Sequence, residues 1–247
     1  MSKLNESKRI VIIGAVAAGT SAAAKARRND ETAEIVIYEM DEHISYSGCG
    51  LPYYIGGKVA KLEELTPRDP KFFRDKYEVE ILIRHKVLSV NPATKTLVVE
   101  NLVTGETFTD RYDVLILSTG ATSIVPPIPG VDLAHVFTLR NPLSARAIRT
   151  YIEEHQPKTA VVVGSGFIGL EMVENLVDAG ILVTVVEKLP QVCPFVDPDL
   201  APYVEEALVK KHVTVLTGVA ATEIWPGSVH LDDGSPFVAS LALLEVV

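Results

Sequence analysis

Residues 160–187 read AVVVGSGFIGLEMVENLVDAGILVTVVE, and the fold class is predicted from this segment. An apolar run, Ala160–Val163, is short enough for a buried strand and passes directly into a glycine-rich turn. Residues Leu170–Ala179 have the periodicity of a helix, and Val183–Val186 is a second buried strand. This order of strand, turn, helix and strand predicts a βαβ unit within a parallel sheet.

The turn carries a complete dinucleotide fingerprint. Gly164, Gly166 and Gly169 hold the three glycine positions of G-x-G-x-x-G, and Glu187 follows the second strand, 23 residues after Gly164. Glycines let the backbone approach a pyrophosphate at the helix N-terminus, and the acid accepts hydrogen bonds from the ribose hydroxyls. The stretch therefore predicts dinucleotide binding. Glu187 would repel a 2′-phosphate, which favours NADH over NADPH, although Lys188 beside it reduces that preference.

A second unit of this kind lies near the N-terminus. Gly14 and Gly19 occupy the first and third glycine positions, but Val16 stands where the second glycine is expected. Glu39 ends the following strand, 25 residues after Gly14. This half of the chain is compatible with a nucleotide loop or with a plain strand–turn–helix. Predicted strands Ile10–Ile13 and Ile35–Tyr38 flank a helix at Thr20–Arg28.

The repeated unit indicates an internal duplication, with Gly14 and Gly164 150 residues apart. A proline-rich run around Pro126–Gly130 predicts the linker between the halves. We expect an α/β protein with two Rossmann-like dinucleotide-binding domains, residues 1–122 and residues 123–247. In the first domain we expect a small antiparallel insertion with strands at Val79–Ile83, Lys86–Val90 and Thr96–Asn101.

Cys49 lies in a loop that reads SGCGLPYY from Ser47. Pro52 fits the first turn of a helix over Gly50–Ile55, whose dipole would favour the thiolate. The alternative is that Cys49 is simply a small buried apolar residue. Its position beside a dinucleotide unit favours a redox role. Cys193, in a proline-flanked loop, is interpreted as structural.

Composition narrows the possible classes of function. The chain of 247 residues has a net charge of −9 and a pI near 5.2, which argues against nucleic-acid binding. Its apolar stretches are too interrupted for a membrane span. Two cysteines make no disulfide framework, and the six histidines show no metal-ligand spacing. We therefore expect a soluble cytoplasmic protein without a metal site.

These motifs together resemble the flavoprotein disulfide reductases with two dinucleotide-binding domains. Within them the chain is similar to the single-cysteine branch of coenzyme A-disulfide and persulfide or polysulfide reductases. The resemblance extends from about Lys8 to Leu231. It rests on Gly14–Gly19 with Glu39, Ser45–Gly57 around Cys49, Ser118–Gly120, Gly164–Glu171 and Glu187.

The resemblance implies a role for each matching residue. Cys49 would be the redox thiol beside the flavin, exchanging with a small-molecule disulfide or persulfide of the coenzyme A type. FAD would be bound by Gly14, Ala18, Gly19, Glu39, Met40, Val87, Thr119 and Gly120. NAD(P)H, with NADH favoured, would be bound by Gly164, Gly166, Phe167, Ile168, Gly169, Glu171 and Glu187. Coenzyme A would contact Ser21, Lys25, Arg28, Ser45 and Lys76, a set that also fits an ordinary solvated surface.

The resemblance also marks a departure. Proteins of this branch continue past the point where this chain ends, into the rest of the flavin domain and a dimerisation domain. It thus implies that the first domain is incomplete in its C-terminal half and that the parent protein is a homodimer. Related peroxidases and oxidases carry a histidine where this chain has Ala17. An NADH oxidase and a non-catalytic nucleotide-binding fragment remain as alternatives, and the physiological electron acceptor stays open.

Overall fold

The computed structural model describes residues 7–245. Within them the α-helices are α1 (Ala18–Asn29), α2 (Leu51–Ile55), α3 (Pro70–Tyr77), α4 (Pro142–His155), α5 (Phe167–Asp178) and α6 (Ala201–Lys210). The strands are β1 (Arg9–Ile13), β2 (Glu34–Tyr38), β3 (Val79–Leu82), β4 (His85–Asn91), β5 (Thr96–Asn101), β6 (Thr107–Arg111), β7 (Val114–Leu117), β8 (Val136–Phe137), β9 (Thr159–Val163), β10 (Leu182–Glu187), β11 (Thr214–Thr217), β12 (Ala221–Trp225), β13 (Ser228–Leu231), β14 (Pro236–Val238) and β15 (Leu241–Leu244). Two 3₁₀ turns lie at Gly48–Gly50 and Leu62–Leu65.

The contacts divide the chain into two compact units. Within the described residues, unit 1 comprises 7–47 and 63–121, and unit 2 comprises 48–62 and 122–245. The sequence-based division placed the whole of residues 1–122 in one domain. The structure instead groups Gly48–Leu62, the segment that carries Cys49, with unit 2.

Unit 1 is built on a parallel four-stranded sheet in the order β3-β2-β1-β7. Alternate residues of each strand point to opposite faces. Ile12 and Ile37 pack on one face with residues of α1 and α3. On the other face, Val11 and Val36 pack against Leu97 of β5. Because both faces are covered, the central strands are apolar throughout.

The antiparallel insertion of unit 1 consists of β4, β5 and β6. The sequence-based assignment of Val79–Ile83 to this insertion was wrong, because β3 pairs in parallel with β2. Helix α3 makes the crossover to β3. Asp69 starts this helix by accepting a hydrogen bond from the backbone N–H of Phe72 at 2.8 Å, and Pro70 follows Asp69 in the first turn.

A polar network joins three strands of unit 1. The guanidinium of Arg9 on β1 donates two hydrogen bonds to Asp110 on β6, at 3.0 and 2.7 Å. The hydroxyl of Tyr38 on β2 donates to the same carboxylate at 2.7 Å. Partial burial opposes ionisation of Asp110, but the hydrogen bonds from Arg9 and Tyr38 hold its pKa below the usual value. The network fixes the antiparallel sheet to the parallel one.

Unit 2 repeats the plan with a parallel sheet in the order β11-β10-β9-β15-β8. A three-stranded antiparallel sheet, β12-β13-β14, contributes Ile224 and Val229 to a core shared with Val161 and Val186. Helix α5 lies against β9 and β10. The predicted α/β architecture with two Rossmann-type parallel sheets is confirmed.

Each helix of unit 2 has a local start signal. Helix α5 begins at Phe167, directly after the glycine loop and before the predicted start at Leu170. Helix α6 begins at Ala201, with Pro202 in its first turn. Helix α4 begins at Pro142 because Asn141 and Ser144 form a capping box. None of the helices within residues 7–245 is long and apolar enough to cross a bilayer.

Arg9→Met tests the polar network of unit 1. The substitution leaves the partly buried Asp110 with fewer donors, so we expect the free energy of unfolding to fall by about 2 kcal/mol. Chemical denaturation measures the change. Lys71→Met, which removes an exposed ion pair with Asp75 on α3, is the control and should cost less. Equal losses in the two variants would contradict a structural role for the network.

Candidate functional site

The glycine loop of unit 2 connects β9 to α5. Gly164 has a φ of +101°, a backbone conformation that would be strained in a residue with a side chain. A Cβ at Gly169 would lie 2.3 Å from the carbonyl oxygen of Gly164, so only glycine allows this close approach. Helix α5 has no side-chain cap. Its first N–H groups are therefore available to an anionic ligand.

Glu187 holds this loop in place. Its Oε2 accepts hydrogen bonds from the backbone N–H of Ser165 at 2.9 Å and from the Ser165 hydroxyl at 2.8 Å. Its Oε1 accepts the N–H of Leu189 at 2.9 Å. The Ser165 hydroxyl also accepts the N–H of Cys193 at 3.1 Å. Three of about four acceptor positions of the carboxylate are thus engaged within the protein, a role that the motif alone does not predict.

A largely apolar pocket of about 530 Å³ opens beside the loop. Five of the predicted nucleotide residues line it, namely Gly164, Gly166, Phe167, Ile168 and Glu187. The other two predicted residues are not part of the lining. Gly169 is buried behind the loop, and Glu171 lies further along α5, where burial and the neighbouring Glu174 raise the pKa of its carboxyl.

Sequence reasoning missed several residues of the pocket wall. Phe195 lies against Phe167, with ring centroids 3.8 Å apart, and forms part of the lining. Glu245 lines the same pocket at the end of β15. Its Oε1 accepts the backbone N–H of Leu139 at 2.8 Å. Burial raises the pKa of the Glu245 carboxyl to about 7, and the hydrogen bond from Leu139 opposes that rise. No motif marks this residue.

Unit 1 contains a second loop of the same design. A Cβ at Gly14, whose φ is +100°, would lie 2.2 Å from the carbonyl oxygen of Ser118. A Cβ at Gly19 would lie 1.8 Å from the carbonyl oxygen of Gly14. Glu39 is buried, and its Oε2 accepts the N–H of Ala15 at 2.7 Å. The carboxylate contact thus forms here although Val16 replaces the middle glycine.

The other predicted cofactor residues of unit 1 are placed as follows. Ala18 is exposed in the first turn of α1, and Met40 is 53% exposed immediately after Glu39. Thr119 and Gly120 are exposed in the segment after β7. Val87 lies on β4 and packs against the buried cluster around Val11 and Val36.

Three of the predicted substrate residues share one exposed face of α1. Ser21, Lys25 and Arg28 follow helical spacing, and all three are exposed. Ser45 is half-buried, with a φ of +48°, and donates its backbone N–H to Ala15 at 2.9 Å. Lys76 is exposed on α3, with its ammonium 5.4 Å from the centre of the Phe72 ring.

Cys49 is an exposed free thiol in the 3₁₀ turn that precedes α2. Helix α4 holds this segment through the side chain of Arg149. Nη1 of Arg149 on α4 lies 3.1 Å from the carbonyl oxygen of Tyr54, and its guanidinium lies 4.5 Å from the centre of the Tyr54 ring. Nη1 also lies 3.1 Å from the carbonyl oxygens of Val59 and Ala60. No sequence motif indicates this role for Arg149.

The second cysteine lies in a different environment. Cys193 is buried, and burial raises the pKa of its thiol. Its backbone N–H contacts the Ser165 hydroxyl, so the residue belongs to the wall of the glycine loop. Among residues 7–245, no three His, Cys, Asp or Glu side chains are grouped so that they could hold a metal ion.

The sequence model of the family described as pyridine nucleotide-disulphide oxidoreductase matches residues 8–246. The chain belongs to this family. The predicted family resemblance is confirmed.

Individual relatives show the same relationship. The chain is 38% identical over 208 residues to a coenzyme A disulfide reductase of Staphylococcus haemolyticus, covering 83% of this chain and 46% of that protein. It is 38% identical over 209 residues to an NADH oxidase of Methanocaldococcus jannaschii, covering 84% and 46%. The crystal structure of reduced CoADR-RHD from Bacillus anthracis superposes with a TM-score of 0.95 at 40% identity, covering 98% of this chain and 44% of that one. The chain therefore spans about half the length of these relatives.

Arg149→Met tests how the Cys49 segment is held. Loss of the contacts to Tyr54, Val59 and Ala60 should speed amide exchange of residues 54–60 by roughly tenfold, about 1.4 kcal/mol of local stability. Hydrogen–deuterium exchange measures this rate. Glu153→Gln removes only the exposed partner of Arg149 and should leave exchange nearly unchanged. Unchanged protection in Arg149→Met would show that α2 is held by other contacts.

Glu245→Gln tests the buried carboxyl through the pH dependence of stability. The folded-state pKa of about 7 exceeds the ordinary value of 4.5, so the folded state binds more protons and loses stability as pH rises through this range. Glutamine keeps a side-chain oxygen that can accept the hydrogen bond from the backbone N–H of Leu139, but it cannot ionise. We expect Glu245→Gln to raise the free energy of unfolding at pH 8 by about 2 kcal/mol and to change it little at pH 4.5.

The control is Glu205→Gln, which removes the same charge from an exposed position on α6. Because Glu205 is exposed, its replacement should change the free energy of unfolding at pH 8 much less than Glu245→Gln does. An equal gain for Glu245→Gln at both pH values would mean that the carboxyl does not titrate in this range.

Proposed function

We propose that this chain supplies the FAD-binding and NADH-binding units of a flavoprotein disulfide reductase, with Cys49 as its redox thiol. One observation carries the proposal: two glycine loops of the same design, each held by a buried glutamate, occur in a chain with an exposed free cysteine. The electron acceptor is a small-molecule disulfide or persulfide of the coenzyme A type. Residues 1–122 form the FAD domain, and residues 123–247 form the NAD(P)H domain. The segment Gly48–Leu62 contacts the second domain.

The glycine loop of each unit fits the pyrophosphate of a dinucleotide, NADH in unit 2 and FAD in unit 1. In unit 2, the close approach of Gly169 to Gly164 and the uncapped start of α5 form a cradle for a pyrophosphate beside the pocket. In unit 1, Gly14 and Gly19 form the equivalent cradle before α1. When bound, FAD supplies the two-electron chemistry that links a reduced nicotinamide to a thiol–disulfide pair.

Cys49 performs thiol–disulfide exchange. Its thiolate attacks one sulfur of the substrate disulfide, which forms a Cys49–substrate disulfide and releases the other half of the substrate as a thiolate. Two electrons, supplied by NADH, then cleave that mixed disulfide, which releases the second half of the substrate as a thiolate and returns Cys49 to its thiolate form. The exposure of Cys49 makes its sulfur reachable, whereas the buried Cys193 is not suited to this role.

Charge supports a phosphorylated substrate. Lys25 and Arg28 lie on the exposed face of α1 with Ser21, and their cations can pair with phosphates. Lys76 on α3 adds a third cation, and Ser45 a hydroxyl. The name of the S. haemolyticus relative, a coenzyme A disulfide reductase, agrees with a substrate of this class.

NADH is the preferred reductant under this proposal. Glu187 faces the pocket and would repel a 2′-phosphate, while the exposed Lys188 beside it reduces the discrimination. We further propose that the parent protein is a cytoplasmic homodimer that binds neither nucleic acid nor membrane.

An NADH oxidase is the second candidate function. The name of the M. jannaschii relative favours it. Ala17, which replaces the histidine expected in such oxidases, argues for the reductase instead. Consumption of oxygen by NADH without any disulfide would identify the oxidase.

Intact mass after treatment with coenzyme A disulfide tests the thiol assignment without requiring flavin. We expect the reduced chain to gain one coenzyme A moiety through Cys49, and Cys193→Ser to gain it equally. Cys49→Ser should gain none, because its hydroxyl cannot exchange with a disulfide. Peptide mapping locates the adduct, and an adduct at Cys193 would contradict the assignment.

The visible spectrum of the chain mixed with FAD tests the cofactor assignment. We expect bound flavin that is bleached by NADH without air, in the wild type and in Cys49→Ser alike. A chain that rejects FAD but binds NADH would instead be a nucleotide-binding fragment. Loss of bleaching in Cys49→Ser would mean that this residue does more than exchange with the substrate.

A further inference from the structure

Two acids border the pocket of unit 2 on opposite sides of β9. Strand β9 lies between β10 and β15 in the sheet, and it leads into the glycine loop. Glu187 ends β10, and Glu245 follows β15. The backbone N–H of Glu245 donates to Val163 at 2.8 Å, which fixes the residue at the level of the loop. A dinucleotide with its pyrophosphate on the loop and its adenosine ribose near Glu187 would therefore extend past β9 towards Glu245.

The side chain of Glu245 is enclosed but sparsely hydrogen-bonded. The residue is 6% exposed, and Oε1 accepts the N–H of Leu139. Within residues 7–245, Oε2 has no hydrogen-bond partner. Glu245 lines the pocket, and its second carboxylate oxygen is thus left for a ligand to contact.

Few charges face this carboxyl. Glu187 and Lys188, both from the β10 side, are the other titratable residues in the described pocket wall. The parts of the wall from β9, from α5 and from the segment 219–221 are apolar or glycine. On the β8 side, Arg140 follows Leu139 along the chain, and it is exposed and already engaged in another interaction.

We infer that Glu245 is a further NADH-binding residue that links the binding of NADH to the uptake of a proton. The protonated carboxyl donates a hydrogen bond to the nicotinamide-ribose half of the dinucleotide, whereas the ionised form repels the pyrophosphate. The inference rests on the proposed binding of NADH by unit 2 and adds a residue and a pH dependence to it.

The direction of the effect follows from electrostatics. An anionic ligand next to an enclosed carboxyl favours the neutral form, so binding raises the pKa of that carboxyl further. Burial already raises the pKa of Glu245 to about 7 in the free protein. Above that pH, binding must be accompanied by protonation, and affinity falls with a limiting slope of about tenfold per pH unit for one proton.

The test is a titration of the full chain with NADH between pH 6.0 and 8.5, followed by nicotinamide fluorescence. We expect the wild-type Kd to rise by about tenfold from pH 7 to pH 8.5. Glu245→Gln keeps a neutral donor and should bind with the wild-type affinity of pH 6.0 throughout. Glu205→Gln, the exposed charge control, should follow the wild type. Calorimetry in buffers of different ionisation enthalpy should show proton uptake at pH 7.5 for the wild type and none for Glu245→Gln.

The outcomes separate this inference from the proposed function. Binding by the wild type with a pH profile equal to that of Glu245→Gln would overturn the role of Glu245 and leave NADH binding intact. Weaker binding by Glu245→Gln at every pH would also overturn it. If no variant binds NADH at any pH, the function proposed for unit 2 fails, and the inference fails with it.

Discussion

A buried carboxylate that accepts backbone N–H groups of the preceding glycine loop is the constraint on which both units depend. In unit 1, Glu39 holds Ala15, and in unit 2, Glu187 holds Ser165. Each contact fixes the end of one strand to the loop after its neighbour. It thereby sets the position of the helix start that faces a ligand. Because the donor common to both units is a backbone N–H, this contact tolerates side-chain changes in the loop, which explains how unit 1 keeps its geometry with Val16.

The sequence predicted the parts of the fold that depend on local pattern. The strands β1, β2, β9 and β10 are short apolar runs next to fixed glycine spacings, and these determine a βαβ unit. The order of strands that pair across long separations is not a local property. Val79–Leu82 alternates in the same way for a parallel or an antiparallel neighbour, and only the helical crossover by α3 decides between them. The pattern of Pro236–Val238 is likewise too short to mark β14.

The residues of the candidate site also fall into two groups: those that a local sequence pattern marks and those that only the folded chain brings together. Glycines and the acids at strand ends were found because their spacing follows from backbone geometry. Arg149, Phe195 and Glu245 come from distant parts of the chain and meet the site only after folding. The segment with Cys49 illustrates the limit. It follows the first βαβ unit in sequence, yet Arg149 and the contact of Gly56 with Asn175 hold it to unit 2.

Glu187 and Glu245 show that burial alone does not determine how a carboxyl acts in a pocket. Their exposures are almost equal, 7% and 6%. Glu187 accepts three hydrogen bonds, two of them from Ser165, and these satisfy the oxygens of a buried polar side chain. Glu245 accepts one, from Leu139. With a single donor the ionised form is poorly compensated, so Glu245 responds to the charge of whatever enters the pocket. One acid is therefore suited to organising the loop, and the other to sensing the ligand.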